Sequence, residues 1–144
     1  MWREKVQALS KAAVFGQPAD LTRLRNAADR LRLDLPNELH TLLAESDGIV
    51  GEYSLGLIWN CERIVTHNLN FRKDKNFIDL YMPFDCLLFF ADAGNGDQFA
   101  FAIRNGQIQS SDVYVWDHEN DSRTWVAPSL QKYLEWWLEG KIKL

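Results

Sequence analysis

The chain has 144 residues, 47% hydrophobic and 25% charged, with 16 Lys and Arg against 20 Asp and Glu for a net charge of −4. That size and balance fit one self-sufficient globular domain, residues 1–144, and exclude a disordered chain or one that depends on disulfide staples. The two cysteines, Cys61 and Cys86, show no CxxC spacing and no accompanying histidine, which excludes a zinc framework and predicts two buried thiols in a reducing compartment.

The N-terminal MWREKVQALSK is charged and helix-patterned, unlike a signal peptide, and no apolar run reaches the length of a bilayer span. A cytoplasmic protein without membrane contact is expected. Trp2, Val6, Leu9 and Ala13 recur at helical spacing, so a first helix is predicted over about fifteen residues, ended by Gly16. Pro18 can open a second, whose stripe Leu21, Leu24, Ala28 and Leu31 runs to about Arg32. A third starts with Pro36 at its first position, carries Leu39, Leu42 and Leu43, and closes at Gly48. Tyr53, Leu55 and Leu57 then alternate as a strand, an edge that could pair with another copy. Asn60 is placed to cap a short helix carrying Ile64, Val65 and Leu69, and residues 72–79 read as a surface loop.

From Cys86 to Arg104 the pattern is a β-hairpin. Leu87 to Phe90 form a continuous apolar run, covered on both faces, whereas Phe99, Phe101 and Ile103 alternate with less apolar neighbours, so the two strands should differ in burial. Gly94, Asn95 and Gly96 supply the turn, with Asp92 and Asp97 at its ends. Asn105-Gly106 is a second turn signal, predicting a further strand from near Gln107, then Val113 to Trp116, a polar loop over residues 117–124 and a short segment Trp125 to Ala127. Ser129 precedes a last helix with Leu130, Tyr133, Leu134, Trp137 and Leu138 on one face and Gly140 as its stop. Trp136 lies off that face and should pack on a neighbouring element. Helices at both ends of a mostly antiparallel sheet make the class α+β.

Sites for small-molecule chemistry do not emerge. The glycines of the hairpin lie between strands with no GxxxxGK[ST], so they form no phosphate loop, and Asp92, Asn95 and Asp97 lack the DxDxDG spacing of a calcium loop. His40, His67 and His118 belong to no HExxH-type pair and read as surface histidines. No catalytic residue, metal site or cofactor is expected. Charge is the more telling quantity: residues 1–33 carry seven cations against three acids, while residues 85–121 carry seven acids against Arg104 alone, a net of −6. Such a field repels nucleic acid and accelerates encounter with a basic protein. Trp59, Trp116 and Trp125 fall at strand ends beside polar loops, a composition shared by binding hot spots and ordinary core edges.

Leu35-Pro36 followed by Glu38, Leu39, Leu42, Leu43 and Asp47-Gly48-Ile49 resembles the signature of the SUKH superfamily, which contains bacterial Smi/Knr-type proteins and a yeast cell-wall synthesis regulator. Phe89 to Asp92 with Gly94 to Asp97 and Phe99 to Phe101 resembles its central hairpin, Val115 to Glu119 its next strand, and Ser129 to Leu138 its closing helix. The resemblance covers about residues 18–140. It implies a non-enzymatic binding protein, in bacteria often an immunity protein that neutralises a cognate toxin, commonly a nuclease. The residues placed to meet a basic toxin are Asp92, Asn95, Asp97, Trp116, Asp117 and Glu119, with Trp59 as an anchor; the family does not fix them. Two alternatives stand beside this reading. One is a regulator or scaffold binding an endogenous partner; the other is a small enzyme, which would need Cys86 or a histidine beside carboxylates in a pocket.

Overall fold

The computed structural model describes all 144 residues. Helix α1 (Trp2–Leu9) is followed by strand β1 (Val14–Phe15), helices α2 (Leu21–Leu31) and α3 (Asn37–Glu45), strands β2 (Ile49–Val50) and β3 (Gly56–Ile58), and helices α4 (Cys61–Lys73) and α5 (Lys75–Ile78). Strands β4 (Leu87–Asp92), β5 (Gln98–Ala102), β6 (Val113–Trp116) and β7 (Arg123–Ala127) and helix α6 (Leu130–Leu138) complete the chain. The class is α+β. Its strands form two antiparallel sheets, β1-β2-β3 and the meander β4-β5-β6-β7, and the Trp59 amide joins them by donating to the Phe90 carbonyl at 2.8 Å.

Local signals set the helix starts. Asp20, Asn60 and Ser129 cap α2, α4 and α6 by accepting the amides of Arg23, Arg63 and Lys132, each supplying a bond that an uncapped first turn lacks. Several expected boundaries are corrected. The first helix stops at Leu9, because Val14 and Phe15 leave the helix to pair with Val50 and Ile49. The second begins after Asp20, not at Pro18, and ends where Arg32 takes a left-handed φ of 53°. Pro36 precedes α3 instead of opening it, and that helix ends at Glu45, before Gly48. Residues 72–79 are not a plain loop, since they hold the end of α4 and the whole of α5.

The expected edge strand at Tyr53 does not form. Tyr53 and Ser54 adopt φ of 57° and 59° in a tight 3-10 turn, and β3 begins only at Gly56, where it pairs with β2. Asn105 and Gly106 do make a turn with positive φ, closed by mutual bonds between Arg104 and Gln107. The bridge ends there, and pairing with β5 resumes only at Val113, so no strand runs from Gln107. Strand β7 starts at Arg123, within what the sequence presents as polar loop.

Strands β4 and β5 do not differ in burial as expected: Leu87 to Ala91 and Gln98 to Phe101 are all buried. Strand β5 lies between β4 and β6, and a helix covers each face. On one face Phe90 and Phe99 pack against Tyr133 of α6, Phe99 also meets Trp137, and Phe101 stacks on Phe90. On the other, Phe89 and Trp116 pack against Phe71 of α4 and against Phe84. Trp136 meets Trp125 with ring centroids 6.4 Å apart.

The outer edge of β4 would expose unpaired backbone groups, and α4 closes it. Asn68, 1% exposed, donates to the Phe89 carbonyl at 2.9 Å and accepts the Phe89 amide at 2.8 Å. Arg72 donates to the Leu87 carbonyl at 3.1 Å. With the Trp59 amide on Phe90, this edge offers little for another chain to pair with.

Candidate partner-binding face

The β4–β5 connection and the β6–β7 connection meet at one end of the meander. The first is a five-residue loop, Ala93 to Asp97. Gly94 and Gly96 hold φ of 96° and 98°, while Asn95 accepts the Asp97 amide at 3.0 Å in a local turn. A side chain at position 96 would also strike the His118 ring, so the second connection passes directly over this glycine.

Asp97 ties the two loops together. Its carboxylate accepts the His118 backbone amide at 3.1 Å and His118 Nδ1 at 2.6 Å, and it is 7% exposed. The bond to Asp97 raises the His118 pKa above the ordinary histidine value, with Glu119 and Asp117 adding to the effect. Asp97, Asp117 and His118 also bring their ligand atoms within 4.8 Å of one another. A cation there would compete with the Asp97–His118 bond that defines the loops.

Asp92 is likewise held from within. It accepts Trp59 Nε1 at 3.0 Å and pairs with Arg63 at 3.0 Å, and the Arg63 guanidinium lies 4.3 Å from the centre of the Trp59 ring. Trp59 and Trp116 are 2% and 3% exposed, the first beneath Arg63, the second donating to Asp121 at 2.8 Å. Burial pushes the Asp121 carboxyl up, but bonds from the Met82 amide, Trp116 and Arg123 outweigh it and hold the pKa below the usual carboxylate range. The residues left facing solvent are Asn95 and Glu119, with Asp117 half-buried; neither Asp117 nor Glu119 pairs with a cation.

The histidines and cysteines depart from expectation. His67 is not a surface residue: it bonds Gln98 at 2.8 Å and packs between Trp59 and Phe71, and burial lowers its pKa, keeping it neutral. Cys61 is buried and its thiol pushed up to about 12, first by burial and then by Asp47. Cys86 is exposed, because a 3-10 turn over Phe84–Cys86 turns it out before β4 begins, with its Sγ 3.1 Å from the Arg123 guanidinium.

Sequence reasoning passed over the segment that supports this end. Tyr81 donates its hydroxyl to the His118 carbonyl at 2.9 Å, the Met82 amide donates to Asp121 at 2.8 Å, and Arg123 donates to the Met82 and Pro83 carbonyls. The signal was present as Phe77, Tyr81 and Phe84, aromatics too closely spaced for a solvated loop. Asn68 carried a signal too, a polar residue one turn after Ile64 on the buried stripe of α4.

No membrane-length apolar helix occurs in the fold. Residues 21–134, most of the chain, match the family model SUKH_6, described as SMI1-KNR4 cell-wall. No curated protein sequence matches the chain.

Proposed function

The chain belongs to the SUKH family of SMI1-KNR4-type domains, and from that premise we propose that it is a non-enzymatic, cytoplasmic immunity protein that neutralises a basic, nuclease-like toxin by direct binding. The observation that carries this reading is the one-signed charge of residues 85–121, of which Asp85, Asp117 and Glu119 are left without a cationic partner. Unpaired carboxylates raise the encounter rate with a basic protein and repel nucleic acid. In this reading Asn95, Asp117 and Glu119 meet the toxin. Asp92, Asp97, Trp59 and Trp116 hold the loops that present them.

The test is expression of the protein encoded directly upstream of this chain, with and without the chain. Growth arrest relieved by coexpression, together with a purified complex of the two, is the expected outcome. A toxic neighbour that forms no complex and is not relieved would overturn the proposal. The cell-wall wording of the family description favours the second reading, a regulator of an endogenous partner; a complex with a non-toxic neighbour would support it.

A further inference from the structure

Ile78, Leu80 and Met82 are 69%, 68% and 57% exposed, three large apolar side chains within five residues. Scattered exposed apolar residues are ordinary, but a cluster of this kind marks an interaction surface. The cluster is not a frayed end. Beside its members, Phe77 and Tyr81 turn inward onto Phe84, with ring centroids 5.9 and 5.6 Å from it. The backbone of Met82 is pinned by Asp121 on one side and Arg123 on the other. Ile78 and Met82 therefore stand out from a fixed support, and they flank one hollow of about 250 Å³ floored by Phe71, Phe77 and Phe84.

The charge beside the hollow is acidic. Asp85 lines it, Asp79 is exposed within the apolar cluster, and the loop carrying Asp117 and Glu119 is bonded directly to Tyr81 and Met82. None of these four acids forms an ion pair; one cation, Arg72, lines the hollow and donates to the Leu87 carbonyl, against two lining acids, Asp74 and Asp85, while Lys73 and Lys75 lie outside the lining. We propose that this hollow is the apolar half of the partner-binding face, taking an apolar side chain from a basic polypeptide segment whose cations rest on Asp79, Asp85, Asp117 and Glu119. The proposal rests on the reading of the chain as a binder of a basic protein, and it moves the anchor from buried Trp59 to Ile78 and Met82. A preformed apolar pocket with a charged rim is the arrangement in which a few residues dominate affinity while charge sets the encounter rate.

The test uses three short synthetic peptides titrated into the isotope-labelled full chain: one of Lys and Leu, one of Lys and Ser, one of Glu and Leu. The Lys/Leu peptide should shift amides in residues 77–85 and 117–121 and bind roughly tenfold more tightly than either control. Ile78→Ser combined with Met82→Ser, which removes the apolar contacts without changing charge, should abolish the advantage of Leu over Ser and leave the Lys/Ser affinity unchanged, with amide shifts elsewhere intact. Equal affinity for the Lys/Leu and Lys/Ser peptides, equal affinity for Lys/Leu and Glu/Leu, shifts confined to other surfaces, or no binding would each overturn the proposal. So would concentration-dependent shifts at these amides without peptide, which would identify a second copy as the occupant. No toxin enters this titration, so its failure leaves the immunity reading standing, and failure of the neutralisation test leaves the peptide result standing.

Discussion

The hairpin loop Ala93–Asp97 and the corner from Asp74 to Asp85 flank opposite ends of β4, meet at the β6–β7 loop through His118, Tyr81 and Met82, and use their residues in opposite ways. In the loop, carboxylates turn inward: Asp97 binds His118, and neighbouring Asp92 binds Trp59 and Arg63. In the corner, apolar side chains turn outward, and Ile78, Leu80 and Met82 are exposed over an aromatic floor. A charged residue in a turn does not thereby belong to the surface a partner sees, because a carboxylate beside free backbone amides satisfies them first. An apolar residue held outward by rigid neighbours has no such internal use.

Substitutions can break this contrast at several levels. The largest effect should come from Trp116→Ala, since its ring supports both regions through Phe71, Phe84, Phe89 and Tyr81. Emptying so large a buried site costs about 3–5 kcal/mol, and denaturant unfolding should show it. Next is Asn68→Leu, which removes both partners of the Phe89 backbone in the buried edge of β4. Two unsatisfied buried groups cost about 2–6 kcal/mol together, read by the same unfolding midpoint and by faster hydrogen exchange at Phe89. Asp97→Ala should cost less, about 1–3 kcal/mol, and should free both loops, visible as lost exchange protection at His118. Ile78→Ser with Met82→Ser should leave stability within about 0.5 kcal/mol, as for other exposed positions, and leaves the charge unchanged, so any binding loss it causes is a loss of contact.

The smallest effect is one of pH. The folded pKa of His118 lies above its unfolded value near 6.5, because Asp97 stabilises the charged ring. The folded state therefore binds the proton more tightly, and the stability contributed is fully present below pH 6.5 and is lost as pH rises through the folded value. Exchange protection of residues 93–97 and 117–119 should fall over that window in the wild type and be flat in His118→Gln, as read by amide exchange at a series of pH values.

Much of this fold is legible in the sequence where the cause is local. The caps at Asn60 and Ser129, the stripe of α6 and the Asn105-Gly106 turn depend on residues within a few positions of each other. Strand β1 was not legible, because Val14 and Phe15 are extended only by pairing with Val50 and Ile49, some 35 residues on. For the same reason the acids of the hairpin looked free: Trp59, Arg63 and His118 reach them across the fold, not along the chain. The exposure of Cys86 and the burial of His67 are tertiary outcomes of the same kind. Residues 72–79 read as a surface loop, and Ile78 there does face solvent, but inward Phe77, Tyr81 and Phe84 recur at i, i+4 and i+7, a helical stripe that the surrounding charged residues and Pro83 obscure.

The central claim is that carboxylates facing solvent, not those held inward, meet a basic partner. The most direct measurement is the association rate with the upstream-encoded protein, across a salt series, for two charge-reversal pairs that change net charge equally. The account predicts that Asp117→Lys with Glu119→Lys lowers the rate at low salt by roughly tenfold or more and flattens its salt dependence. The same rate and salt slope in that pair as in the wild type, with the loss confined to Asp92→Lys with Asp97→Lys in a variant that remains folded, would contradict it.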